Sequence, residues 1–151
     1  MYQDTITVFN RKSGDTGDTW YPTVLHNVDL NTDKSYVLSK YGTDSKDTAS
    51  LHVRYELQPK GERLVGTKQW LPPKMWKVCE DPANAITFAG GAQFDFFWLG
   101  DWGSSDPIMD TDYQAHGDFY TYMNRTHDFV FAISSVDGPF SLIPHFEITG
   151  K

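Results

Sequence analysis

The side chains best suited to chemistry crowd into one acidic stretch. Asp101, Asp106, Asp110, Asp112, His116 and Asp118 all fall there. Several carboxylates from a single loop are what a hard cation such as Ca²⁺ takes. The spacing is not that of an EF-hand, and Asp is also a routine turn and cap residue. The Asp101–Asp118 region therefore reads first as a solvated loop, with a bound cation as the sharper alternative. The five histidines, His26, His52, His116, His127 and His145, never stand at i, i+2 or i, i+4 from one another. A joint site would have to be assembled by the fold. His145, within Ile143-Pro144-His145-Phe146, has the apolar setting of an imidazole satisfied by backbone.

Nucleophilic and phosphate chemistry find less support. The single cysteine, Cys79, excludes an internal disulfide and a multi-cysteine zinc site. A lone cysteine packs as a small hydrophobe, and its use suits a reducing compartment. Gly90-Gly91-Ala92 lacks the Gly-x-Gly and Lys-Ser/Thr patterns of phosphate loops and reads as a turn. A nucleophile elbow and an HExxH motif are both missing from the sequence. A carboxylate pair for glycoside hydrolysis needs only proximity in space, so the sequence leaves it open. The expectation is a chain without catalytic residues, cofactor or resident metal.

What the sequence does offer is aromatic surface. Aromatics make up 15% of the chain, with five Trp, eight Tyr and ten Phe. Such residues favour strands and anchor interfaces. Trp98 lies in an apolar run and belongs to the core. Trp70, Trp76 and Trp102 lie within three residues of Pro or Gly in loops, where contact with a partner stands level with local packing. Trp70-Leu71-Pro72-Pro73 reads as a stiff extended segment, because consecutive prolines fix the backbone. The interface candidates are Trp70, Pro72, Pro73, Trp76 and Trp102.

These groups must be positioned by strands. Asp4–Arg11 alternates, with Ile6, Val8 and Asn10 on one face and Thr5, Thr7 and Phe9 on the other. A polar glycine-containing turn leads to a second strand, Trp20–Val28, so the two form a hairpin. Pro22 marks an edge or irregular start. Asp33–Tyr41 leans to strand and Gly42–Thr48 to loop. Ala49–Gln58 is the clearest half-buried strand, with Leu51, Val53, Tyr55 and Leu57 sharing a face. Lys74–Val78 and Ala85–Phe88 read as short strands, and Gln93–Leu99 as a buried one. A helical turn after Gly117 would place Phe119, Tyr120 and Met123 at helical spacing. Asp128–Val136 and Phe140–Thr149 form a hairpin around Asp137-Gly138, with Pro144 marking an edge or bulge.

With 151 residues and no long linker, the chain forms a single domain, residues 1–151. The expected class is mainly β: a small β-barrel or sandwich with long loops and at most a short helix. Ile6, Val8, Leu51, Val53, Phe131, Ile133 and Leu142 are expected in its core. The formal charge of -7 argues against a grip on nucleic acid, which needs clustered Lys and Arg. It is compatible with a negative wall past which DNA slides. The opening Met1-Tyr2-Gln3-Asp4 does not look like a secretion signal, and no run approaches the ~20 apolar residues of a membrane span.

Ile6-Thr-Val-Phe-Asn-Arg11, a glycine turn and Trp20-Tyr-Pro-Thr-Val-Leu-His-Asn-Val28 resemble the opening of small head–tail connector proteins of tailed bacteriophages. The ending, Asp128–Val136 followed by Ser141–Ile148, resembles an uncharacterised family found among phage and prophage genes of Gram-positive gut bacteria. Phe96–Gly100 and Tyr113–Gly117 fit the same picture. The resemblance implies a head-closure (stopper) protein: a homo-oligomer, a hexameric ring, between the portal-adaptor complex and the tail. Such a ring seals packaged DNA, which passes through its lumen without specific binding, and docks the tail terminator or tail tube. It implies synthesis in the host cytoplasm, residence in the virion neck and no membrane. The Pro59–Pro73 and Gly100–Asp112 loops are long for a minimal barrel, which keeps a tail terminator or another neck position open. Two rivals stand outside that class: a carbohydrate-binding module stacking sugars on Trp70 or Trp102, and a hydrolase with an acidic pair.

Overall fold

Strand β1 (Asp4–Lys12) shows why the chain closes on itself. Its alternation is real, yet residues 6 to 10 are buried on both faces. A strand buried on both faces needs a packed layer on each. The computed structural model describes residues 2–32 and 48–151 and supplies both layers.

The first layer is a barrel interior. β1 pairs antiparallel with β2 (Thr19–Thr32), with Val8 opposite Thr23 and Phe9 opposite Pro22. β2 pairs with β3 (Ala49–Arg54), and β3 with the last strand, β11 (His145–Gly150). β11 pairs with β10 (Val130–Phe140), β10 with β8 (Phe96–Leu99), and β8 returns to β1. The order β1-β8-β10-β11-β3-β2 thus closes into a six-stranded antiparallel barrel. Ile6, Val8, Leu25, Leu51, Val53, Phe97, Phe131, Ile133, Phe146 and Ile148 fill it. A barrel this narrow is filled by side chains and leaves no lumen of its own.

A small sheet caps this interior. β4 (Glu56–Leu57), β5 (Arg63–Val65) and β6 (Lys68–Trp70) run antiparallel, and β7 (Ala85–Ile86) joins β6 in parallel. They add Val65, Ile86 and the flank of Trp70 to the same core. The second layer covers the outside of β1 and β8. Phe9, Trp20 and Phe96 meet Phe119 and Met123 from a helix. That helix, α2 (Phe119–Thr126), starts where Asp118 accepts the Thr121 N–H at 2.7 Å, an N-cap. A 3-10 segment (Asp110–His116) and β9 (Ile108–Met109), paired with the start of β2, complete this side. Pro22 lies between the parts of β2 that pair with β9 and β3, where β1 is the neighbouring strand.

The mainly-β class expected from the sequence is the observed one; of the barrel and the sandwich it left open, the structure is the barrel, and its helices are short. Ile6, Val8, Leu51, Val53, Phe131 and Ile133 are buried. Four expectations need correction. Lys74–Val78 is not a strand but lies in helix α1 (Pro73–Val78). Proline suits the first helical position, where its missing N–H costs nothing, and Trp76 N–H bonds back to Pro72 O at 2.9 Å. Leu57 leaves the face shared by Leu51, Val53 and Tyr55 and is 55% exposed. The Tyr55 N–H still bonds Pro144 O at 3.2 Å, in register with the β3–β11 ladder, and β4 beyond it pairs with β5 instead of a barrel strand. Leu142 is 96% exposed rather than core. Its hairpin turns at residues 141 to 144, while the Asp137-Gly138 signal falls inside β10, where Gly138 and Pro139 form a bulge between the pairs Asp137–Glu147 and Phe140–His145. The expected strand at Asp33–Tyr41 and most of the loop after it lie outside the described residues.

Candidate functional site

The tip of the β10–β11 hairpin is the strongest candidate surface. Leu142 and Ile143 stand 96% and 68% exposed, and Phe140 is also exposed. Protruding apolar side chains on a mobile tip would carry little weight. Here the backbone is held from below. Tyr55, itself buried, donates its hydroxyl to Phe140 O at 2.8 Å and its amide to Pro144 O at 3.2 Å. His145 Nδ1 donates to Ile143 O at 2.5 Å, and the Phe140 ring stacks on the His145 ring at 4.9 Å. A barrel residue thus fixes both sides of the turn, and the apolar tip is presented on a rigid base.

Beside the tip runs a row of titratable groups. Strand register sets Asp29 opposite His52, His52 opposite Glu147, and Glu147 opposite Asp137. Directly opposed side chains on antiparallel strands are neighbours. His52 Nε2 lies 3.5 Å and His145 Nε2 3.9 Å from the same Glu147 oxygen, Oε1. The arrangement couples β3 to β11 through one carboxylate. Among the described residues, no three His, Cys, Asp or Glu groups converge to hold a metal ion.

The acidic stretch is put to structural use. Asp110 Oδ1 accepts the Trp20 indole N–H at 2.6 Å and the Phe119 N–H at 3.1 Å. Asp118 caps α2, and Asp101 Oδ1 accepts the Gly103 N–H at 2.8 Å. Asp95 is a buried carboxyl, and desolvation pushes it up to about 7 against the opposing pull of its hydrogen bonds. It accepts the Arg11 N–H at 2.8 Å and the Ala89 N–H at 2.9 Å. Both oxygens are engaged by backbone, so Asp95 ties the 89–95 loop to β1.

A family model matches residues 1–151. The chain belongs to DUF6751, a family of unknown function. No curated protein and no solved structure matches it. The DUF6751 match spans both the barrel and its covering elements.

Against this geometry the five residues singled out from the sequence part company. Trp76 is fully buried, with its ring 5.8 Å from Tyr21 and its indole N–H on Pro82 O at 3.3 Å. It offers a partner no surface, and its role as an interface anchor is withdrawn. Trp70 is half-buried, 5.0 Å from the Phe146 ring. Trp102 is half-buried in the other cluster, against Phe9 at 5.4 Å and Phe119 at 5.6 Å. Pro72 is exposed and Pro73 half-buried at the start of α1. The same helix turns Met75 and Val78 outward, 56% and 81% exposed. Sequence reasoning missed the hairpin tip because Phe140–Thr149 alternates. The signal was Pro144, which removes a ladder donor and lets the chain turn before it.

Proposed function

We propose that this chain is a structural phage neck protein, a head-closure (stopper) subunit, and that it acts by binding other subunits and not by catalysis. The observation that carries the reading is the β10–β11 tip: exposed Leu142 and Ile143 on a backbone clamped by a buried barrel tyrosine. Apolar anchors on a pre-organised base lose little freedom on docking, so their burial goes into affinity. Among the described residues, the carboxylates nearest to chemistry, Asp95 and Asp110, are occupied by backbone and indole N–H groups. The barrel interior is packed, so a channel for DNA arises only between subunits of a ring, as a hexameric homo-oligomer provides. The formal charge of -7 suits a wall that DNA passes without sticking. In this reading the hairpin tip contacts the neighbouring subunit, and the exposed face of α1 with Pro72 is left for the portal-adaptor side or the tail.

Quantitative mass spectrometry of purified particles tests the proposal, with copies counted against the major capsid protein. About six copies per particle are expected for a closed ring with one subunit per symmetry position. A copy number many times greater would move the protein to the tail tube or capsid surface. Absence from particles would end the virion reading.

A further inference from the structure

Away from the hairpin tip, a groove of about 400 Å³ opens between three segments distant in sequence. One wall is β2 from Pro22 to His26, a second is the β5–β6 turn with Thr67 and Lys68, and the third is the loop Asp101–Ser105. The volume lies within the range that holds small molecules. The third wall is anchored: the Trp102 N–H bonds Thr7 Oγ1 at 3.0 Å, and that hydroxyl donates to Gly100 O at 2.9 Å. The Trp102 ring locks the loop against Phe9 and Phe119.

Lys68 is the group that needs explaining. It is half-buried, and its Nζ meets Thr23 Oγ1 at 2.7 Å and Pro22 O at 3.4 Å. Both acceptors are neutral. Among the described residues, no carboxylate lies within ion-pair distance of Lys68. An ammonium carries three donors, and these contacts use two. Burial lowers its pKa, the mark of a positive charge that its surroundings undercompensate. The remaining lining is rich in donors. Thr67 and Ser105 contribute hydroxyls, and Ser104 Oγ accepts from the Asp106 N–H at 3.1 Å, which leaves its own proton to donate. The lining's one carboxylate, Asp101, is turned to the Gly103 N–H at 2.8 Å.

We propose that this groove binds an oxyanion, the carboxylate or phosphate of a small ligand, with Lys68 as its charged anchor and the Ser104 and Thr67 hydroxyls as neutral donors. The site needs only one protomer and stands independently of the neck reading.

The test is a titration of the isotope-labelled chain with inorganic phosphate and, separately, with acetate. The amide resonances of Thr67, Gly103 and Ser104 are followed, with chloride at matched ionic strength as control. A saturable shift is expected from at least one of the two anions and none from chloride. A response to phosphate alone assigns the phosphate class; a response to acetate assigns carboxylates. Lys68→Met, which keeps the apolar stem and removes the charge, should weaken binding at least about tenfold, as loss of a charge-assisted contact does. Should that variant fail to fold, Ser104→Ala on the exposed loop takes its place, with weaker binding again expected. No saturable shift with either anion, or undiminished binding in the variant tested, would overturn the site.

Discussion

At the scale of single residues, polar side chains act mainly as ties. Asp95 holds two backbone amides from segments far apart in sequence, and Asp110 joins Trp20 to the start of α2. The buried position of Asp95 gives a pH dependence with a definite sign. Its carboxyl sits at about 7 in the folded chain, above its ordinary 3.8. The folded state therefore holds a proton that the unfolded state has released, and stability falls as pH rises between those values. The contribution is fully present below the unfolded pKa and is lost as pH climbs through about 7. Asp95→Asn removes this titration. In urea unfolding from pH 4 to pH 8, wild-type stability should decline relative to Asp95→Asn; parallel profiles would contradict the burial argument. Asp95 was read in the sequence only as part of the apolar run Gln93–Leu99, since nothing local shows that a carboxylate there meets Arg11 and Ala89.

At the scale of elements, the hairpin and the short helix show how tertiary contacts override local pattern. β10 and β11 alternate as strands should, so Leu142 looked like a core residue. The turn at residues 141 to 144, fastened by Tyr55, carries it outward instead. A side chain so exposed contributes little to the monomer, whereas a docked partner would bury it. Leu142→Asp should accordingly leave the thermal midpoint close to wild type. It should also abolish self-association in sedimentation velocity and incorporation into particles. Unchanged assembly of a folded Leu142→Asp variant would remove the tip from the interface. In α1, a tryptophan that reads as a loop anchor turns inward once Pro73 starts the helix, and Met75 and Val78 take the outer face.

At the scale of the whole molecule, closure of a narrow barrel sets the steric limits. Gly150 lies on β11, which closes the sheet with β3 and β10. A Cβ there would stand 2.8 Å from Phe131 Cβ and 2.9 Å from Phe97 Cζ. The aromatic rings that fill the barrel leave this position space for hydrogen alone. Gly150→Ala should therefore destabilise the protein by roughly 1–3 kcal/mol, the usual cost of overpacking a tight core. Chemical denaturation measures it directly, and a neutral effect would mean that the interior is looser than its packing implies. The hairpin end and the Lys68 groove are formed by different elements, β10 and β11 for the first and β2, the β5–β6 turn and the Asp101–Ser105 loop for the second.

Alternation in β1 and β3, a local property, was enough to place Ile6, Val8, Leu51 and Val53 inside and to set the mainly-β class. Periodicity reports which side chains share a face, because that follows from backbone geometry alone. It does not report how many faces are covered. Only the tertiary structure decided that β1 is buried on both sides, that Trp76 is core and Leu142 surface, and that Lys68 meets Thr23 in a groove walled by Asp101–Ser105. Each of these depends on contacts between segments tens of residues apart, and the closing of the sheet, not the local run of residue types, brings them together.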